Sequence, residues 1–210
     1  MFKRLTPFLL LGFLAAPELR AQGGTLESGA MRITAMSGGL AHSSALVVDP
    51  AGSSDTRLTP GPTFGLELQF PDFPLGSFFA GLSASFSSLE HGANLGVVAG
   101  PGSSSATMIL GTAGVVLEAT DWFNNLRPTL RLGGGFKSYS FTTNGASSNT
   151  SFTADVGVGF RAGTGPIEIL GELRLLPSSF DQAKLPLRGL SPQDQQQNDL
   201  MFTVGVTVRP

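Results

Sequence analysis

Residues 150–176 constrain the fold more than any other stretch, because side-chain character alternates at nearly every step along two successive arms. On the first arm, 150–162, Phe152, Ala154, Val156, Val158 and Phe160 are apolar, and Thr153, Asp155, Gly157, Gly159 and Arg161 lie between them. After Gly163-Thr164-Gly165-Pro166, the second arm sets Ile167, Ile169, Gly171, Leu173 and Leu175 against Glu168, Leu170, Glu172, Arg174 and Leu176. A period of two places the two sets on opposite faces of a strand, and the short Gly/Pro joint makes the arms a β-hairpin. The face that carries the ionised groups also carries most of the glycines. The other face is an almost unbroken aliphatic and aromatic stripe. A soluble barrel would turn that stripe inward and the charges outward. A transmembrane β-barrel does the reverse, meeting lipid with the stripe and keeping the charges inside.

The rest of the chain agrees with the membrane reading. Lys3 and Arg4, the apolar run from Leu5 to Ala16 and the Leu19-Arg20-Ala21 site read as a cleaved secretory signal over residues 1–21. That run is too short for a spanning helix, which needs roughly 20 residues. Later apolar stretches are broken every few residues by Gly, Ser or charge. Residues 22–210 read as one domain. Lys3, Arg4, Arg20 and Glu18 fall in the signal, so the remainder carries a net charge of −4. Such a balance offers no basic patch for nucleic acid. With no cysteine, there are no disulfides and no lipid on an N-terminal Cys. With 41% hydrophobic residues the chain is not a disordered Gly-rich segment, despite 28 glycines.

Eight strands are predicted in order. They are 29–37, 63–70, 77–89, 106–118 and 128–141, then the two arms of the hairpin, then 198–209. In 106–118, Leu110 and Val116 break the alternation set by Ile109, Val115 and Leu117, which suggests a β-bulge. The longer connections follow strands one, three, five and seven, and the shorter ones strands two, four and six. Outer-membrane barrels show this asymmetry, with short periplasmic turns and longer external loops. It puts both termini on the periplasmic side, with Trp122 and Phe123 at that interface.

In this pattern the chain resembles the small eight-stranded outer-membrane β-barrel proteins of the OmpA/OmpX type and the opacity-like family. The segments that carry the resemblance are 126–141, 154–161, 167–176 and 201–209. It implies an all-β, closed, antiparallel up-and-down barrel in the outer membrane, whose bore is filled by side chains. Members usually end in an aromatic residue. Here the chain ends Val208-Arg209-Pro210, and Phe202 is the aromatic of the last strand.

The inward faces carry Arg32, Glu67, Glu118, Arg131, Lys137, Asp155, Arg161, Glu168, Glu172, Arg174 and Arg209. A near-balanced set can pair internally, and charges held away from water need partners. This reads as a structural plug and not as a one-signed conduit. The two histidines, His42 and His91, fall in predicted external loops. No catalytic constellation, cofactor motif or metal-ligand cluster emerges: Gly133-Gly134-Gly135 lacks the Lys-Ser/Thr and the helix of a phosphate loop. The expectation is therefore a monomeric, non-enzymatic envelope protein. Its partners would be membrane lipid and an extracellular ligand or surface met by its loops. A narrow channel is the alternative, and a lipid-modifying rim enzyme a more distant one.

The hairpin also suggests a register. A turn at Thr164-Gly165 sets Gly163 against Pro166, and with it Arg161 against Glu168 and Asp155 against Arg174. A slip of one residue would turn one strand's charges toward lipid.

Overall fold

The computed structural model describes residues 30–42, 60–93, 104–119, 125–142, 148–163, 165–181 and 194–210. The signal segment 1–21 and the Trp122-Phe123 pair lie outside these residues. Among the described residues nine strands are formed: β1 (Arg32–His42), β2 (Gly61–Gln69), β3 (Phe73–Leu75), β4 (Phe78–Ala93), β5 (Ser104–Ala119), β6 (Leu126–Phe141), β7 (Asn149–Ala162), β8 (Ile167–Asp181) and β9 (Asp194–Val208). β3 is a short continuation of β2 along the same neighbour, so the wall has eight staves. All pairings are antiparallel. The order runs β2-β1-β9-β8-β7-β6-β5-β4, and β2 pairs with β4 to close the cylinder. Closure leaves no unpaired long edge, which is what a sheet in lipid requires.

The stagger is large. Following paired residues round the wall from Arg32 through Gln69, Ser83, Gly114, Gly133 and Asp155, and then between the Thr153–Ser178 and Val156–Leu175 pairs, leads to Leu176 and Asp199. The path re-enters β1 at His42, ten residues beyond its start. Shear of this kind tilts the strands by roughly 35–45°. Along β6 the outward residues run from Leu126 through Leu130, Leu132 and Phe136 before changing to Ser138 and Ser140. At about 3.3 Å per residue and that tilt, the apolar part is about 25 Å tall, the height of a bilayer's hydrocarbon band. The outer face is built accordingly: Phe64 is 64% exposed, Phe152 73% and Val206 50%. The change to polar residues occurs at the same level on neighbouring strands, with Ser138 bonded to Thr150 at 2.7 Å and Ser179 paired with Gln196. Two outward phenylalanines lie across glycines of the next strand. A Cβ on Gly171 would meet the Phe160 ring at 2.7 Å, and one on Gly111 the Phe136 ring at 2.6 Å. The rings cover backbone that would otherwise lack a side chain.

Three details depart from the sequence expectation. The first is β5, which carries no bulge: its register is unbroken against both neighbours. Leu110 and Val116 point inward and are 0% and 1% exposed. The alternation looked broken because apolar residues occupy both faces there. The bulge lies instead between β2 and β3, where residues 70–72 face only Gly81 and Leu82. Phe70 N–H still bonds Leu82 O at 2.8 Å. One extra residue reverses the parity of the strand, and so turns Asp72 toward the bore. β3 then returns into β4 through Gly76-Ser77. Gly76 has φ +63°, as the first position of a II′ hairpin turn demands.

The second departure is the hairpin register. Arg161 opposes Leu170, Gly157 opposes Arg174 and Gly159 opposes Glu172, a slip of two from the expected pairing. Face parity forbids a slip of one but permits a slip of two. Packing in the bore makes the choice. Gly157 lies between Arg131 on β6 and Arg174 on β8, and a Cβ there would sit 3.1 Å from Arg174 Cγ and 3.4 Å from Arg131 Cβ. At this level glycine leaves the room that the two arginines on either side of it occupy. The turn itself bonds to its neighbours: Gly163 N–H donates to Asn125 O at 3.3 Å, and Pro166 O accepts from Arg209 N–H at 2.9 Å.

The third departure is strand length. β1 and β8 run to His42 and Asp181, and β9 starts at Asp194. His42 therefore ends a strand and is not a loop residue. The backbone of His91 is likewise in β4.

Candidate functional site: the charged bore

Alternation fixes what enters the bore. Odd residues of β6, β7 and β9 and even residues of β1, β5 and β8 point inward, and among the described residues they bring together almost all the ionised groups. The cations are Arg32, Arg127, Arg131, Lys137, Arg161, Arg174 and Arg209, and the anions Glu67, Asp72, Glu118, Asp155, Glu168, Glu172 and Asp199. Seven face seven. Each of the eleven sequence-expected positions lies here, with Arg209 the most exposed at the end of the bore that holds both described termini.

The termini end is a ring of arginines laced by carboxylates. Arg32 Nη1 donates to Glu118 Oε2 at 2.8 Å and also reaches Asp72 Oδ2 at 2.9 Å. Arg127 Nη1 lies 2.9 Å from Glu118 Oε1, and its other amino group bonds Glu168. Arg209 Nη2 takes the same Glu168 oxygen at 2.5 Å. Arg161 donates to Gln69 Oε1 at 2.5 Å and lies 3.5 Å from both Glu67 and Glu118. It stands 3.9 Å from Glu168, because Arg127 and Arg209 already hold that carboxylate. The expected Arg161–Glu168 pair thus survives as a long contact within a shared ring.

The middle of the bore holds two tighter units. Arg131 bonds Glu67, donates through Nε to Glu172 Oε1 at 2.9 Å, and donates to Ser83 Oγ at 2.9 Å. Arg174 grips Asp155 with two bonds, Nε to Oδ1 at 3.0 Å and Nη2 to Oδ2 at 2.5 Å. The expected Asp155–Arg174 pair therefore forms, but diagonally across the register. Thr112 Oγ1 donates to Asp155 Oδ2 at 2.9 Å while accepting from Arg174 at 2.8 Å. Bidentate Arg–carboxylate geometry with a hydroxyl third partner is the strong form of such a contact. If it couples β7 to β8, single removals of Asp155 and Arg174 should each destabilise, and the double replacement should cost less than their sum. A double-mutant cycle read by denaturant unfolding in detergent measures this, and additivity would show that the pair is uncoupled.

Beyond the middle the bore turns apolar. Leu40, Leu89, Met108, Leu110, Leu176 and Met201 are each 0–1% exposed. Among them sits a separate cluster. Lys137 Nζ contacts Asp199 Oδ2 at 2.5 Å, and His42 Nδ1 is 2.9 Å from Asp199 Oδ1. Tyr139 OH lies 3.3 Å from Asp199 Oδ2 and 3.2 Å from Gln197 Oε1.

Sequence reasoning missed Arg127, Asp72, Asp199 and His42 as bore residues. Arg127 and Asp199 were recoverable. Arg127 continues the inward series of Arg131 and Thr129, and Asp199 that of Thr203 and Met201. Asp72 was not, because only the bulge turns it inward. No metal-holding group of His, Asp and Glu occurs among the described residues.

No protein-family profile matches the sequence, and no curated protein matches it. Solved structures do. Neisserial surface protein A superposes with a TM-score of 0.55 at 13% identity, covering 86% of this chain and 97% of that one. This chain is a small eight-stranded β-barrel of the outer-membrane type. The outer membrane protein AlkL (TM-score 0.48, 14% identity, 92% of this chain and 96% of that one) and Ail of Yersinia pestis (0.46, 14%, 86% and 99%) are also similar to the barrel. At such identities the likeness is one of fold.

Proposed function

We propose that this barrel is an integral outer-membrane protein with a plugged bore, acting through its external loops as an envelope-structural or surface-binding protein. Both termini then face the periplasm, and the rim at the far ends of β1, β4, β6 and β8 faces outward. One observation carries the reading: Arg131, Arg161 and Arg174 are 2%, 0% and 0% exposed and are spent on carboxylates within the bore. Cations so engaged fill the bore in place of lining a water path, and their balance by anions leaves no net field to select an ion. The bore residues act structurally, and recognition belongs to the loops. Reconstitution into planar bilayers tests this. The purified barrel should give no steady single-channel current across the ordinary voltage range. A stable, reproducible conductance would favour the alternative, a narrow channel for small solutes.

A further inference from the structure

The cluster around Asp199 stands apart from the plug. Leu40, Met108, Leu176 and Met201 lie at its level, with buried Asn149 and Gln197 beside Tyr139, and its members come from widely separated staves. β6, which supplies Lys137 and Tyr139, stands four staves from β1 in a ring of eight, so it lies on the opposite wall. Asp199 on β9 and His42 on β1 are register partners on the near wall. The Lys137–Asp199 contact therefore spans the bore. It does so at the level where the outer face turns polar: Ser138 and Asn198, the outward neighbours of Lys137 and Asp199, belong to that polar rim.

We propose that Asp199 is a cross-bore bolt, which holds the rim distal to the termini in shape by tying β6 to β1 and β9. The carboxylate is shared by three donors: Lys137 and Tyr139 on Oδ2, and His42 on Oδ1. The Lys137 ammonium also sits 5.6 Å from the centre of the Tyr139 ring, and Tyr139 stacks on Phe141 with centroids 6.2 Å apart. Lys137 and Asp199 are both 0% exposed, and the His42 side chain is 3% exposed. A lone buried ion pair in apolar surroundings contributes little net stability, since desolvation offsets its attraction. Its effect is geometric instead, because any outward movement of β6 takes the buried Lys137 ammonium away from its carboxylate. Among the described residues the other ionised groups belong to the plug, where Arg174 holds Asp155 with two bonds. The proposal concerns the wall alone and does not depend on the reading of the loops.

The chain has no cysteine, so spin labels can be placed singly. Ala41→Cys and Ser140→Cys put labels on exposed rim positions of β1 and β6, and Leu126→Cys with Val208→Cys make a control pair at the opposite end. Double electron–electron resonance in lipid nanodiscs should give one narrow distance distribution for each pair. With Asp199→Asn, the rim pair should broaden or shift outward while the control pair stays unchanged. An unchanged rim pair, or equal broadening at both ends, would overturn the proposal. Should Asp199→Asn fail to assemble, the charge-swapped Lys137→Asp/Asp199→Lys barrel is read on the same pairs. A narrow rim distribution there supports the bolt, and a broad one rejects it. Conductance and loop binding are separate measurements, so a failure here is distinguishable from a failure of the functional reading.

Discussion

Glu67→Gln should destabilise the barrel by about 3–5 kcal/mol, the cost of removing one partner of a buried charge pair. Glu67 is 0% exposed and is the carboxylate shared by Arg131 and Arg161. Neither arginine can turn to water, as both are at most 2% exposed. Arg131 would retain Glu172 and Ser83, and Arg161 would retain Gln69 and the edge of Glu118. Each would nonetheless lose part of the field that offsets its desolvation. The isosteric amide keeps the volume, so a cavity would not account for the loss. Urea unfolding in detergent micelles measures it, with Ser140→Ala on the exposed rim as the reference. A loss near that of Ser140→Ala would mean that the bore is wet enough to solvate the arginines, which would also undermine the plug.

Val204→Arg and Leu173→Arg are each expected to cost about 2–4 kcal/mol in a bilayer, the penalty of a cation on the lipid face near mid-membrane. Both residues lie outward within the apolar band, 46% and 42% exposed. Thr203, one residue from Val204, points inward and is 1% exposed, so Thr203→Ser should cost far less. The measurement is reversible unfolding from lipid vesicles. Tolerance of Arg at both Val204 and Leu173 would mean that this face does not meet lipid. The test is sharp because adjacent residues of one strand carry the opposite expectations.

Much of the architecture is legible in alternation. Phe152 to Phe160, and Leu200 to Val208, declare an apolar face by period alone. The eleven charged positions between such residues could be assigned to the bore because a strand has only two sides. Alternation fails where both faces are apolar. β5 looked bulged because Leu110 and Val116 lie inside, and nothing local distinguishes an apolar bore layer from a register fault. It fails again where a bulge changes parity, which is why Asp72 surfaced only in the folded chain. Gly38 and Gly39 read as the end of a strand, which puts His42 in a loop. Gly38 in fact runs close against β9, where a Cβ would lie 1.8 Å from the Phe202 carbonyl oxygen.

Parity, then, is a local property, and local sequence decides it. Which residues face lipid, which face the bore and roughly where each strand runs all follow from a period of two and the positions of Gly, Pro and Ser. Register and partnership are not local. A slip of two residues preserves every face, so only the fit of side chains across a narrow bore could set Gly157 rather than Asp155 opposite Arg174. The choice of Gln69 for Arg161, of Arg127 and Arg209 for Glu168, and of Lys137 for Asp199 joins residues brought together by barrel closure and shear. Those distances are set by the curvature of the whole wall, and no stretch of sequence contains them.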